Sequence, residues 1–464
     1  MTTASSTTVA ATETQRLASF AAGMTFEQIP AALRDSAKEH LLDTLGVAIA
    51  SSGFGFAKSA LQGVLALGEG GASTAIGFGD RMSAASAALV NGVLAHGLDY
   101  DDTHIAAIYH ASAPVMPAAL AVGEVRGASG KQVLLSYVLG LEVGCRLALA
   151  ASGDFMRGGF HPTAICGTFA AAATAGKLMG LSEQQLSWGL GMCGSQAAGV
   201  LELGTSWLKR FHGGWAAHAG VIAASMARAG FVGPDTMLEG PRGLYATHIR
   251  RVPQGEQSPT HALGAVWHAS AIALKPYPCC GFLHAAVDAA LELRDHFNLA
   301  DVERIECPLS LELHKLIAEP REDCIRPTEP YRALFSIQYV VALALVRGRV
   351  DLAAFHDEPL DEPDVLALAA RVQCVDDPLS DYPAHFPGEV IVHLKSGQIL
   401  RCRKSSSLGT PEFPWLRKDI VGKFMANATR VVPEAAAREL VTRVLAIEQE
   451  HSLERLMSLA CRPR

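Results

Sequence analysis

Two hydrophobic patterns divide this 464-residue chain. From about residue 25 to 262 apolar residues recur at helical spacing. In "TFEQIPAALRDSAKEHLLDTLGVAIASSG", Leu33, Ala37, Leu41, Leu45 and Ile49 fall on one face at four-residue steps, and Arg34, Asp35, Lys38 and Glu39 fall away from it. Thr25 with Gln28 has the form of a capping box at the start of this segment. Ser129 with Gln132 opens a second helix, striped by Leu134, Val138, Leu141 and Cys145, and Ser182 with Gln185 opens a third. No fixed repeat length links these helices, which argues against a solenoid. Their many alanines and glycines predict close helix–helix contacts.

After about residue 265 the period shortens. "VERIECPL" and "RVQCVDD" predict short strands. "GEVIVHLKSGQILRCRK" predicts a hairpin: Val390, Val392 and Leu394 alternate with Ile391, His393 and Lys395, and Ser396-Gly397 turn the chain into 399–403. Helices such as "EPYRALFSIQYVVALALVRG" lie between the strands. From about residue 417 the pattern is helical again, through "PEAAARELVTRVLAIEQEHSLERLMSLA". The expected fold is therefore mainly α with α+β. A large all-helical domain is built from both chain ends (1–265 and 406–464), and a smaller α+β domain (266–405) interrupts it. The cleft between two such domains is the expected place for a small molecule.

Composition sharpens this picture. The chain is 49% hydrophobic and only 18% charged, which predicts extensive burial and a subunit interface. The apolar stretches are small-residue runs broken by Lys, Arg, Glu or His before about 20 residues accumulate, so no membrane span is expected. "MTTASSTTVAATETQRLASF" lacks the pattern of a signal peptide and reads as a disordered tail. Ten scattered cysteines without a C-x-x-C predict free thiols in a reducing cytoplasm. A net charge of −7 without any basic run disfavours nucleic acid as a partner.

Chemistry-bearing residues gather in five segments. "GLDYDDTHIAAIYHASAP" holds Asp99, Asp101, Asp102, Thr103, His104 and His110. "GGFHPTAICGTF" places His161 before Pro162. "GTSWLKRFHGGWAAHAG" carries Lys209, Arg210, His212 and His218. "LKPYPCCGFLHAAVDAA" carries Lys275, Tyr277 and His284, and "EPYRALFSIQYVVAL" carries Tyr331, Ser336 and Tyr339. Each residue taken alone has an ordinary structural role. The aspartates can end one helix and cap the next, Lys209 can be a solvated lysine, and Tyr339 can be a core tyrosine with one hydrogen bond. No metal-ligand spacing, nucleophile elbow or glycine-rich phosphate loop is present. Acid–base chemistry by His, Lys, Asp and Tyr, without metal or cofactor, remains.

The blocks "HGLDYDDTH…HASAPVMPAALAVGE", "GFHPTAICGTFAAAA", "GTSWLKRFHGGWAAHAGVIAA" and "LKPYPCCGFLHAAVDAALEL" resemble, in order, the signature blocks of the MmgE/PrpD family. The resemblance implies a large helical domain with a smaller α+β domain, usually a homodimer, and no cofactor. It implies activity on small anionic di- or tricarboxylates: 2-methylcitrate dehydration, cis-aconitate decarboxylation or iminodisuccinate epimerisation. Residue by residue, it carries catalytic roles onto Asp99, His110, His161, Lys209 and Tyr339. Substrate contacts go to Thr103, Lys209 and His284, and Lys275 of the fourth segment is a further substrate-binding candidate. The dehydratase branch carries an Asn-Asp pair where this chain has Asp101-Asp102, which tilts the expectation toward decarboxylase or epimerase. The leading expectation is a lyase forming a carbanion or enolate next to a carboxylate. An epimerase using the same pocket is the alternative, and a non-catalytic polycarboxylate binder on this fold is the second.

Overall fold

The computed structural model describes residues 10–463 apart from 69, 205 and 383. Its first element departs from the expected tail. Helix α1 (Glu13–Gly23) begins with reciprocal capping bonds between Thr12 and Gln15, and only residues 1–9 of that tail lie outside the described residues. Thr25 and Gln28 do form a capping box, but around a single 3-10 turn. The long helix α2 (Ala31–Ser51) starts only after Pro30, because a proline ring keeps its predecessor out of the helical region. The stripe from Leu33 to Ile49 is buried as expected. Residues 41–51 are buried all round, so α2 is amphipathic in its first half and a core helix in its second.

The centre of the large domain is built from α3 (Ala84–Ala95), α4 (Ser112–Arg126), α5 (Gly130–Ala150), α6 (Pro162–Met179) and α7 (Leu208–Arg228). Helix α7 packs on α6 and α3, and α4 fills the angle between them. These crossings are close because the contact residues are small. A Cβ on Gly92 of α3 would come within 2.6 Å of the Gly214 Cα on α7, so neither helix tolerates a side chain there. Helix α5 is long and apolar enough to cross a membrane, yet most of it lies inside this core. Its polar residues are paired there: Arg146 bonds Glu142 at 2.6 Å and donates to the carbonyls of His261 and Val266.

A short antiparallel ladder, β1 (Thr103–His104) with β2 (Ile272–Ala273), ties the aspartate-rich loop to the chain just before it leaves the large domain. The large core takes its last residue on this side from Ile272, and the smaller core begins at Cys279. Ala269 and Ile272 of this stretch are buried in the large core. The smaller domain carries β3 (Val302–Leu309), β4 (Val372–Asp376), β5 (Gly388–Leu394) and β6 (Ile399–Lys404) in the order β4-β3-β5-β6. β3 and β4 are parallel and the other pairs antiparallel. The hairpin pairs Val392 with Leu400, and Val390, Val392 and Leu394 face inward. Helix α8 (His284–Leu293) covers this face and α9 (Ile337–Arg347) packs behind it. The chain then returns: α10 (Arg417–Ala428) and α11 (Glu434–Leu445) both pack on α2, closing the helical domain with the C-terminal segment.

Candidate active site

The segments that carry the chemistry meet at helix ends. His96 is the C-cap of α3. His110 precedes α4 by two residues, His161 is the N-cap of α6, and Lys209 lies in the first turn of α7. Three helix N-termini therefore point their partial positive charge at one place, where an anion is favoured. The close glycine crossing of α3 and α7 fixes how near these ends come. Lys275 arrives from the other side, two residues beyond β2.

A cavity of about 540 Å³ opens between the domains at this point, lined by Asp99, Thr103, His110, His161, Lys209 and Lys275. At its centre, Asp99 Oδ1 accepts from Lys209 Nζ at 2.6 Å and from Lys275 Nζ at 3.2 Å. Lys275 also donates to the Asp99 and Cys279 carbonyls. Burial alone would raise the Asp99 carboxyl, but Lys209, Lys275 and His110 together hold it well below the usual carboxylate range. Burial acts against the Lys209 ammonium, and Asp99 more than offsets it, so Lys209 stays charged. Two ammonium groups share one carboxylate, which leaves a cationic surplus for an incoming anion. Asp99 (φ +52°) and Ile108 (φ +49°) both line the cavity in the left-handed region, a conformation a β-branched residue such as Ile108 adopts only under tertiary constraint.

The three aspartates divide the work. Asp101 is fully buried and its Oδ2 takes His96 Nδ1 at 2.8 Å and His110 Nδ1 at 3.2 Å. It orients both rings and leaves Nε2 as the free nitrogen on each. Asp102 accepts from the Ser112 N–H at 2.9 Å and meets His40 Nδ1 at 2.8 Å. It caps α4, so the ordinary capping role holds for this aspartate and not for its neighbours. Thr103 Oγ1 lies 3.3 Å from His110 Nδ1. His161 Nδ1 lies 3.0 Å from His212 Nδ1, so one ring must donate and the other accept.

Burial disfavours the charged form of His110, His161 and His212. Burial, then the neighbouring His96 and Lys209, hold His212 at about 4. Burial holds His110 at about 4 even though Asp101 pulls the other way. Burial and then His96, Lys209, His110 and His212 push His161 well below its ordinary value. Ring nitrogens of His96, His110 and His161 lie within 4.8 Å of one another, near enough for a metal ion to bridge them.

Two residues assigned by resemblance stand elsewhere. Tyr339 is a correction: it is packed inside the smaller core, its hydroxyl has no partner, and it does not line the cavity. Its place on the apolar helix α9 makes it a core residue. His284 is a second correction, since it does not line the cavity. Its Nε2 bonds the Cys279 carbonyl at 3.1 Å, the same carbonyl that receives Lys275, so it braces the lysine from behind. Residue patterns gave no role to His96 or Phe335 and left His212 and Tyr331 unassigned. His96 was recoverable, because it ends an apolar helix five residues before Asp101. Phe335, whose ring lies 5.3 Å from Lys209 Nζ, carries no such signal.

A helical domain made from both chain ends, a small α+β domain, and between them a buried set of lysines, carboxylates and neutral imidazoles define an acid–base enzyme fold. Family models described as the MmgE/PrpD N-terminal domain and the MmgE/PrpD C-terminal domain match residues 15–256 and 277–449. The chain belongs to the MmgE/PrpD family. It is 26% identical to a cis-aconitate decarboxylase of Aspergillus terreus over 96% of this chain and 95% of that one. It is 28% identical to human cis-aconitate decarboxylase over 79% of this chain and 77% of that one. Identity to 2-methylcitrate dehydratase of Escherichia coli K12 is 24%, over 76% and 75% of the two chains.

Proposed function

We propose that this chain is a lyase that removes CO₂ from a small unsaturated polycarboxylate, as its cis-aconitate decarboxylase relatives are named to do, without metal or organic cofactor. The observation that carries the reading is the convergence of Lys209 and Lys275 with the uncharged rings of His110 and His161 around one cavity. The lysines hold substrate carboxylates through charge-assisted bonds. The C–C bond to the departing carboxylate breaks, CO₂ leaves, and its electron pair passes into the adjacent unsaturated carboxylate system. A proton carried by one of the imidazoles then quenches that charge at carbon. Such a ring, neutral in the empty cavity, takes up its proton once the anion is bound.

Incubation of the purified protein with di- and tricarboxylates in deuterated water, followed by mass spectrometry, tests this. Loss of the mass of CO₂ with one solvent deuteron gained supports it. Loss of water instead identifies a dehydratase, and deuteron exchange without mass loss identifies an epimerase. Binding without any change identifies a non-catalytic binder. Exhaustive chelation should leave turnover unchanged. Restoration by one divalent metal after loss would turn the His96, His110 and His161 cluster into a metal centre.

Two finer readings accompany this one. A homodimer is supported by the unburied apolar side chains of α7 described below. A cytoplasmic location is supported by ten thiols, none of them paired, and cell fractionation checks it.

A further inference from the structure

We infer that His96, His110 and His161 form a binding site for a divalent transition-metal ion such as Zn²⁺, and that the ion, once bound, inhibits turnover. The inhibition rests on the lyase reading, because it takes away the rings that carry the proton there. The binding itself does not depend on that reading.

The three rings converge from separate elements. His96 ends α3, His110 precedes α4 and His161 opens α6. All three are buried, and each offers a ring nitrogen within 4.8 Å of the others. Their ring centroids stand 4.7 Å apart for His96 and His110, 5.5 Å for His96 and His161, and 6.0 Å for His110 and His161. Rings that share one tetrahedral Zn²⁺ at about 2.0–2.1 Å have centroids roughly 5 Å apart. Small side-chain rotations therefore bring them onto one ion.

The hydrogen bonds prepare the same rings for a metal. Asp101 Oδ2 holds Nδ1 of His96 at 2.8 Å and Nδ1 of His110 at 3.2 Å. A carboxylate on one ring nitrogen keeps the proton there and leaves the other nitrogen's lone pair free, as in carboxylate–histidine–zinc arrangements. His96 Nε2 shows the consequence. It is buried, it has no hydrogen-bond partner among the described residues, and the acid–base reading gives it no task. A buried polar atom left in this way calls for a ligand. His161 offers Nε2 in the same manner when its Nδ1 donates to His212.

The surrounding charges decide which ion fits. Lys209 and Lys275 stand on Asp99, so two cations offset the two carboxylates, Asp99 and Asp101. An oxygen-seeking ion such as Mg²⁺ or Ca²⁺, drawn mainly by charge, gains little here. An ion that favours imidazole nitrogen gains its bonds regardless. A ring whose lone pair holds that ion cannot carry the proton that quenches the carbanion.

The test uses the metal-free, full-length protein. Calorimetry with Zn²⁺ should show one site per chain, Co²⁺ should give visible bands of a nitrogen-ligated ion, and Mg²⁺ should give neither. Asp101→Asn should weaken Zn²⁺ binding by about 10–100-fold, and His96→Gln by at least as much. Cys280→Ser, which removes a thiol from the cavity wall, should leave the affinity unchanged. Turnover of cis-aconitate should fall over the Zn²⁺ range in which binding occurs and return on chelation. Absence of binding overturns the site. So does binding that survives His96→Gln with a native circular dichroism spectrum, or that is lost in Cys280→Ser. Bound Zn²⁺ that leaves turnover unchanged overturns the inhibition. Turnover that rises with Zn²⁺ overturns the inhibition and the cofactor-free lyase reading together. His96-dependent binding in a protein that turns over no carboxylate upholds the metal site and sinks the lyase reading, and the inhibition with it.

Discussion

At the residue scale, the site depends on one carboxylate held between two lysines. Asp99 positions Lys209 and Lys275 and keeps the buried Lys209 charged. Lys209→Ala removes a charge-assisted bond of about 1.5–3 kcal/mol to the substrate, and should weaken binding by roughly ten- to a hundredfold with the fold intact. His161→Ala should instead lower kcat by about 10²–10⁴ if that ring moves the proton. Steady-state kinetics on both variants separates the two roles, and near-normal turnover in both would remove the assignment. A second expectation follows from the low histidine values. His110 sits at about 4 in the empty site, and an anion beside it raises that value. Binding at neutral pH should therefore take up a proton, and affinity should fall as pH climbs through the raised value in the complex. Calorimetry in buffers of different ionisation enthalpy reads this directly, and identical heats in all buffers would contradict it.

At the scale of elements, helix termini build the site and a distant helix holds it. Lys423 of α10 is buried, and its Nζ donates to the Tyr100 carbonyl at 2.8 Å, the Lys275 carbonyl at 2.9 Å and Asp43 Oδ2 at 3.0 Å. One ammonium thus clamps the backbone beside Asp99 and Asp101 to the backbone of Lys275. Burial lowers the Lys423 ammonium from its ordinary value, and Asp43 opposes that shift. Lys423→Met leaves Asp43 buried without its partner, which should cost about 3–5 kcal/mol and loosen both loops. Pairing it with Asp43→Asn should recover most of the Tm but not the KM for the carboxylate, because the neutral pair no longer clamps the two loops. Full recovery of both would reduce Lys423 to a stability residue.

At the scale of the whole molecule, one face is unaccounted for. Helix α7 presents Leu208, Phe211, Ile222 and Met226 to solvent, with Trp207 and Phe231 at its two ends. At 100° per residue the four helical positions fall within a narrow arc. This is the same helix whose other side carries Gly213 and Gly214 into the core. The proposed homodimer would cover this stripe, since exposed apolar stripes of this size favour association. Light scattering should give twice the 49.0 kDa chain mass, and Phe211→Glu with Met226→Glu should halve it. A single-chain mass for the unaltered protein at micromolar concentration would dismiss the stripe as an interface.

Local patterns alone settled the helical stripe of α2, the capping boxes at Ser129 and Ser182, the 388–404 hairpin and the return to helix near residue 417. These rest on periods and caps that span a few residues, so neighbouring residues encode them. The same locality explains the errors. Pro30 moved the start of α2, and Thr12 with Gln15 made a helix within the segment read as a tail. Candidate residues could be named from the order of blocks, and Asp99, Thr103, His110, His161, Lys209 and Lys275 do surround one cavity. Only the tertiary structure decided which aspartate serves which partner, since Asp99, Asp101 and Asp102 are near neighbours in the chain and face three different sets of groups. It also placed Tyr339 in the smaller core, put His284 behind Lys275 and brought Lys423 to the site across 323 positions from Tyr100. Those choices depend on contacts between residues far apart in sequence, and on how much water each pairing excludes, which no local pattern records.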